Sequence, residues 1–433
     1  MLQFKKIHRK IAMIARKILS KILNEIDSSE IVFLLGTRQV GKTTLSKLIA
    51  QESNFDNVYF FDFEDKEYRE LFNTVSVKKL EQIFKLEAID IEQKNLIIFD
   101  EIQLLDDPSN MLKLIYDHFK TLKIIAIGSS SLQIKAKFSD SLAGRKRVYK
   151  IEPLDFDEFL LFKKEEKLLR LRKMFVEEKD KLSMVPIVKS QTTRFLELFE
   201  EYLIYGGYPE VVLLESREDK ISKLDSIASS YIQKDIKDLA NIENIDGYNK
   251  LIQYLSINIG NMINLSSIST AIALSLPTVK KYINLLQDTF IVDELKPFFR
   301  NKNREISKNG KIFFKDIGVR NLQIKNFNTL SYRTDVGELY ENYVFNRLDS
   351  QDILSSLYMY RTQSKTEIDF IRVKESVASL YEVKSGSNHK IPKAIVEFEK
   401  RYSDEFLKID KFVVNRDILD LKQGILFVPA FLL

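Results

Sequence analysis

The first third of the chain alternates short, unbroken apolar runs with stretches of helical period. Residues 31–35 (IVFLL) form the first run, apolar positions recur at helical spacing over 44–50, and further runs end at Asp100 and at Gly128. Runs of this length bounded by turn residues predict buried strands. Strands alternating with amphipathic helices predict a parallel α/β sheet, here over residues 1–160. Residues 161–193 keep the helical spacing in a highly charged setting, which predicts one amphipathic helix with a solvated face that connects domains. It opens a helical linker or lid region over 161–245. Further on, LIQYLSINIG and LSSISTAIAL predict two helices, and a turn at SLP leads to a third, TVKKYINLLQDTF, with Ser275 as cap and Pro277 in its first turn. A hairpin-compatible segment over 291–316 completes a winged-helix pattern within 246–328. In the last stretch, 329–433, a helix over 335–348 precedes a strand holding Asp369 and another holding Glu382 and Lys384.

Composition narrows what these elements do. The 433 residues leave room for about two to four domains, and 45% hydrophobic with 11% aromatic content supports real cores and excludes disorder. The net charge of +5 excludes a global field for polyanions, so nucleic-acid contact is confined to patches. Lys280, Lys281, Arg300, Lys302 and Arg304 form the candidate patch for DNA phosphates, without an Arg or Gln run for reading bases. The absence of cysteine excludes disulfides and thiolate zinc sites, and the three histidines are too scattered for a His-rich metal site. No apolar run reaches the ~18 residues of a membrane span, and the cations interleaved in the first 19 residues do not make a signal peptide. A cytoplasmic protein is expected. Glycine is scarce, at 13 residues against an average near ~7% of a chain, so the glycines that remain point to backbone positions that need them.

The first two are Gly36 and Gly41, in GTRQVGKTT. With a strand before and a helix after, this G-x-x-x-x-G-K-T is a phosphate-binding (Walker A) loop. The backbone of Gly36, Thr37, Arg38, Gln39, Val40, Gly41, Lys42, Thr43 and Thr44 would surround the phosphates of ATP. Lys42 would neutralise the β- and γ-phosphate oxygens and the Thr43 hydroxyl would ligate Mg²⁺. At the end of the strand NLIIFDE, Asp100 would hold Mg²⁺ and Glu101 would orient or deprotonate the attacking water. Ser129 or Ser130, after the next strand, and Arg145, in a basic cluster, are candidates to meet the γ-phosphate or the water. Arg145 would do so from the same subunit or from a neighbour in a homo-oligomer.

Near the other end, Glu338 and Glu341 lie three apart on one helical face, and Glu382 and Lys384 share one side of a strand beside Asp369. Hard carboxylate oxygens suit Mg²⁺, and Lys384 would orient or activate a water near a phosphodiester or stabilise its charge. This order of helix Glu, strand Asp and Glu-x-Lys resembles the PD-(D/E)XK nuclease fold. The resemblance makes Glu341, Asp369 and Glu382 a metal shell, Glu341 matching the helix position better than Glu338.

GTRQVGKTT, LIIFDEIQ, GSSSL, SLAGR and PLDFDEFL, with the later YGGYPEVV and YIQKDI, together resemble a large prokaryotic family of AAA-type ATPases. The resemblance spans nearly the whole chain. It implies a P-loop ATPase domain, a helical and winged-helix region, and a nuclease-like C-terminal domain. Two functions from different classes follow: an enzyme that hydrolyses ATP to rearrange its later domains on nucleic acid, or an ATP-gated switch that recruits DNA or protein without cutting.

Overall fold

The computed structural model describes residues 14–73, 76–128, 142–231, 244–298, 310–349, 354–362, 366–387 and 390–433. Ser129, Ser130, Arg300, Lys302 and Arg304 lie outside them. The chain divides into two compact units. One runs to Glu152 and takes in Ile227–Glu243 and Asp288–Phe290; the other comprises Pro153–Ser226, Asn244–Gln287 and Ile291–Leu433.

The first unit holds helices α1 (Lys17–Glu25), α2 (Lys42–Glu52), α3 (Lys66–Phe72), α4 (Val77–Leu86) and α5 (Pro108–His118) around strands β1 (Ile31–Leu35), β2 (Asn57–Asp62), β3 (Asn95–Asp100), β4 (Leu122–Gly128) and β5 (Lys146–Lys150). Every strand pair is parallel and the spatial order is β2-β3-β4-β1-β5. β1, β3 and β4 are buried along their whole length, which is why they read as continuous apolar runs and not as an alternating pattern. Phe61, Phe63, Phe72 and Phe99 pack ring on ring beneath β2 and β3. In-register pairing sets Asp62 beside Asp100 at the carboxyl ends of these strands, where α/β sheets place their ligands.

The second unit begins with α6 (Phe156–Phe162), α7 (Glu166–Glu177), α8 (Val185–Tyr205), α9 (Pro209–Leu213) and α10 (Arg217–Tyr231), which reaches into the residues counted with the first unit. The single helix expected over 161–193 is instead broken. Lys164 takes a positive φ of 61° after α6, a 3₁₀ turn covers Lys181–Met184, and Pro186 starts α8 where its missing N–H costs nothing. Helices α11 (Ile245–Ile257), α12 (Leu265–Ile272) and α13 (Leu276–Asp288) lead to a two-stranded antiparallel ribbon of β6 (Val292–Leu295) and β7 (Lys311–Phe314). Lys280 and Lys281 are exposed on α13. After α14 (Ile317–Gln323) and α15 (Val336–Leu348) comes a mixed six-stranded sheet. Its strands are β8 (Ser355–Arg361), β9 (Glu367–Lys374), β10 (Val377–Val383), β11 (Lys408–Asn415), β12 (Asp420–Lys422) and β13 (Ile425–Pro429), in the order β12-β13-β11-β10-β9-β8. Helix α16 (Lys393–Tyr402) buries Ile395 and Phe398 in the core of this sheet. The segment read as one strand around Asp369 is two antiparallel strands, β8 and β9.

The ribbon and the six-stranded sheet are joined. Pro297 bridges Met359 of β8, Phe298 N–H donates to Met359 O at 2.7 Å, and the Phe298 ring sits among Tyr358, Phe398 and Tyr402.

The turn in YLIYGGYPEVV has a structural explanation. Gly206 has φ +77°, and its Cβ would fall within 2.3 Å of the Asp316 carboxylate; a Cβ on Gly207 would strike Leu154 O at 2.2 Å. Asp316 caps α14 by accepting from Val319 N–H at 2.9 Å, and its other oxygen accepts from Gly207 N–H at 2.7 Å. The two glycines let the α8–α9 turn close over a buried carboxylate.

Candidate functional site

Two clusters carry chemistry, one in each unit. In the first, the loop after β1 folds back on itself. Lys42 is buried, and its ammonium donates to Gly36 O at 2.9 Å and Thr37 O at 2.8 Å. Gly41 enters α2 at φ +93°, a conformation that favours glycine, and no side chain caps the helix. Helix N-termini without such a cap are ready anion sites. A Cβ on Gly36 would lie 2.0 Å from Ile151 O, so this end of the loop has no room for a side chain. Gly36→Ala is expected to weaken nucleotide binding at least about tenfold, read by titration with a fluorescent nucleotide, because the loop must shift away from the Ile151 carbonyl.

Thr43 Oγ1 donates to Asp100 Oδ2 at 2.7 Å, and Asp100 Oδ1 accepts from Glu101 N–H at 2.9 Å. Burial pushes the Asp100 carboxyl up, against the lowering effect of the Thr43 hydrogen bond. Glu101 adopts the left-handed region, φ +49°, which turns its side chain out of the strand. There it meets Arg38 at 3.5 Å and accepts from Gln103 Nε2. Gln39 has φ +62°, and its Oε1 is buried with no hydrogen-bond partner. Val40 is fully buried and Thr44 is exposed on the first turn of α2.

In the second unit, pairing of Tyr381 with Phe370 sets Glu382 opposite Asp369, and Asp369 Oδ2 accepts from Val383 N–H at 2.8 Å. Lys384 Nζ lies 2.7 Å from Glu382 Oε1, while Glu382 Oε2 is buried with no partner. From α15, Glu341 Oε2 reaches a further group, Lys311 of β7, at 3.6 Å; Lys311 also pairs with Glu367 Oε1 at 2.7 Å. Burial and then the Asp369 charge push both Glu341 and Glu382 up, and burial raises Asp369. Burial would lower Lys311, but the charges of Glu341, Asp369 and Glu367 outweigh it and keep its ammonium charged. Among the described residues, no three His, Cys, Asp or Glu side chains converge closely enough to hold a metal ion.

Residues 28–160 match the family model of an AAA domain. The phosphate-loop cluster just described lies wholly within those residues. Residues 196–330 and 336–431 match two domains of unknown function, DUF8612 and DUF4143. An uncharacterized protein of Methanocaldococcus jannaschii, MJ1544, is 26% identical over 421 residues, covering 94% of this chain and 86% of its own. An uncharacterized Haemophilus influenzae protein is 26% identical over 71% of this chain and 73% of its own, and Mycobacterium tuberculosis Rv2008c is 22% identical over 81% and 69%. Among solved structures, the Walker-type ATPase of Pyrococcus abyssi superposes with a TM-score of 0.46 at 16% identity, covering 73% of this chain and 97% of its own. The Aeropyrum pernix ORC2 protein does so at 0.35 and 12%, over 71% and 92%.

The structure does not bring every candidate together. Arg145 precedes β5, and β5 pairs with β1 from Ile31↔Lys146 to Leu35↔Lys150. Arg145 therefore sits at the start of β1, and the phosphate loop leaves from its other end. Five residues of strand, at ~3.3 Å each, separate the two. Its guanidinium pairs with Asp117 at 3.2 Å and lies over the Tyr116 ring. Contact with the γ-phosphate of its own subunit is thereby corrected: the sheet places Arg145 at the opposite edge.

Two positions that contact these clusters escape sequence reasoning. Arg16, just before α1, braces the phosphate loop from below, donating to Val40 O at 3.0 Å and Glu152 O at 2.8 Å. It is one of several cations in the N-terminal segment, and nothing local marks it. Lys311 is the other. It heads a four-residue strand whose remaining members are all apolar, and that isolated charge is the signal that could have found it.

Proposed function

We propose that this protein is a Mg²⁺-dependent ATP hydrolase whose second unit carries a cation-dependent site for nucleic acid phosphodiesters. The observation that supports the ATPase reading best is the 2.7 Å hydrogen bond between Thr43 and Asp100, beside Lys42 and Glu101. Thr43 and Asp100 suit a Mg²⁺ ion in the way a hydroxyl and a carboxylate at one point do, and the ion, bound with ATP, would spread the phosphate charge. Lys42 would exchange its two loop carbonyls for phosphate oxygens. Glu101, released from Arg38 and Gln103, would accept a proton from the water that attacks the γ-phosphorus, and ADP would leave with its β-oxygen carrying the charge. Phosphate release that needs Mg²⁺ and stops in excess chelator is the expected result; no release above buffer would sink the reading.

In the second unit, Asp369, Glu382 and Glu341 are the hard oxygen groups this reading calls on, although as they stand the three do not converge on one point; Glu382 Oε2 is buried without a hydrogen-bond partner. A divalent ion there would act as a Lewis acid on a phosphodiester. Lys384, held at Glu382, would position the attacking water. Cleavage of duplex DNA in Mg²⁺ by wild type, lost at least about a hundredfold in Asp369→Ala and Lys384→Ala, is expected. Equal cleavage by all three would point to a contaminant. One observation favours the second reading, an ATP-gated switch that binds without cutting: Lys311 already neutralises part of the carboxylate cluster. Read as a winged helix, the segment from α11 to β7 would then present Lys280 and Lys281 to DNA phosphates, and a double alanine variant would lose salt-dependent duplex binding.

A further inference from the structure

We infer that Arg38 is a sensor of the third phosphate: its guanidinium rests on the acids just beyond β2 and β3, and a nucleoside triphosphate, but not a diphosphate, draws it onto the terminal phosphate and so releases Glu101. The inference rests on the ATP reading of this site given above and assigns its discrimination between nucleotides to one side chain of the loop.

Arg38 is the third residue of GTRQVGKT. Its Nη1 lies 3.5 Å from Glu101 Oε1 and 3.8 Å from Glu64 Oε1. Charge-assisted N–H···O bonds run at about 2.7–2.9 Å, so the guanidinium stands between two carboxylates and closes on neither. One of the two, the Glu64 side chain, is 48% exposed, and water weakens such a pair further. Giving up these contacts costs little.

The backbone around the guanidinium is held. Glu101 N–H donates to Asp100 Oδ1 at 2.9 Å, and Glu101 O accepts from Leu104 N–H at 3.0 Å. Glu64 N–H donates to Asp62 Oδ1 at 2.9 Å, and Arg69 Nη1 donates to Phe63 O at 2.7 Å and Glu64 O at 3.2 Å. Lys42 bonds the two carbonyls that precede Arg38 in the loop, those of Gly36 and Thr37. The part left to move is the Arg38 side chain about its own stem.

The chemistry of the two nucleotides then separates them. Glu101 is the group that would take a proton from the attacking water, so a guanidinium beside it stands on the side where that water and the terminal phosphate would meet. A terminal phosphate carries more negative charge than a carboxylate, and its oxygens match the planar guanidinium fork. Arg38 would exchange two long contacts for one bidentate pair. The phosphates that ADP shares with ATP fall to the loop backbone and Lys42, and offer Arg38 no such exchange.

The test compares affinities of the full chain, in Mg²⁺, for fluorescent ADP and, by competition, for the non-hydrolysable β,γ-imido triphosphate. Arg38→Gln is expected to weaken triphosphate binding at least about tenfold and diphosphate binding by less than about threefold. Arg38→Lys, which keeps the charge without the fork, should recover part of the loss, and Lys42→Ala should weaken both nucleotides. The guanidinium ¹⁵N signal missing from Arg38→Gln should shift in wild type on adding triphosphate and stay in place on adding ADP. Arg38→Met replaces the glutamine variant if circular dichroism shows the latter unfolded. Equal loss of both nucleotides in Arg38→Gln, or no loss of either, overturns the sensing; if Lys42→Ala still weakens both, the ATP reading stands. Absence of nucleotide binding in wild type overturns the sensing and the ATP reading beneath it.

Discussion

Glu101→Gln is expected to lower ATP turnover by about 10²- to 10³-fold while leaving nucleotide affinity within about threefold of wild type. The geometry separates the two effects. Glu101 contributes no atom to the loop that would enclose the phosphates; it stands past the end of β3, turned outward by its φ of +49° and held by Arg38 and Gln103. Glutamine keeps the shape and the contact to Arg38 through its carbonyl, yet cannot take a proton from water. Lys42→Ala should behave differently. It removes a buried ammonium that already bonds two loop carbonyls, so both affinity and turnover should fall. Phosphate release and a fluorescent-nucleotide titration on the same preparations distinguish these patterns. A Glu101→Gln variant with unchanged turnover would remove this residue from the chemistry.

Asp316→Ala is expected to destabilise the second unit by about 3 kcal/mol, read as a shift in denaturant midpoint. It removes an N-cap from α14 and strands the buried N–H groups of Gly207 and Val319, at about 1–3 kcal/mol for each buried unsatisfied group. The same carboxyl makes stability depend on pH. Burial pushes it up to about 6, against the backbone N–H groups of Gly207, Val319 and Gly318, which hold it down. Unfolded, it titrates near ~3.9. The folded state thus keeps its proton to higher pH than the unfolded state. The stabilisation linked to this proton is fully present below about pH 4 and is lost as pH rises through about 6, while the hydrogen bonds to Gly207 and Val319 remain. Midpoints measured from pH 4 to 7 should fall in wild type, and Asp316→Asn should flatten that part of the profile.

What was legible in the chain was what is local. The phosphate loop, its strand and its helix lie within 22 consecutive residues, Ile31 to Glu52, and each element announces itself by period and by glycine. Asp100 and Glu101 end an apolar run for the same reason. The assignments that fared worse depend on register or on distance along the chain. Arg145 follows a glycine in a basic cluster, but only the β1–β5 pairing reveals which end of the sheet it occupies. Gly206 and Gly207 are explained by Asp316, 109 positions beyond Gly207. The helix of 161–193 breaks at Lys164 despite an unbroken apolar spacing, because α6 ends at Phe162 and Lys164 then turns into the left-handed region. Glu382 and Asp369 meet through a hairpin that the sequence shows, whereas Lys311 joins them from a strand assigned to a different domain.

That last junction bears on how the protein can be dissected. The DUF4143 match begins at residue 336, and a C-terminal fragment cut there would look natural on a family map. Such a fragment would leave behind the ammonium that Glu341 and Glu367 face, the Phe298 ring seated among Tyr358, Phe398 and Tyr402, and the Phe314 backbone that Asn342 bonds on both sides. An expressed fragment of this kind would present an opened aromatic socket prone to self-association and an acidic cluster stripped of its native counter-charge. Activities measured on it would describe the fragment, and domain-swap or truncation libraries should place their cuts upstream of β6.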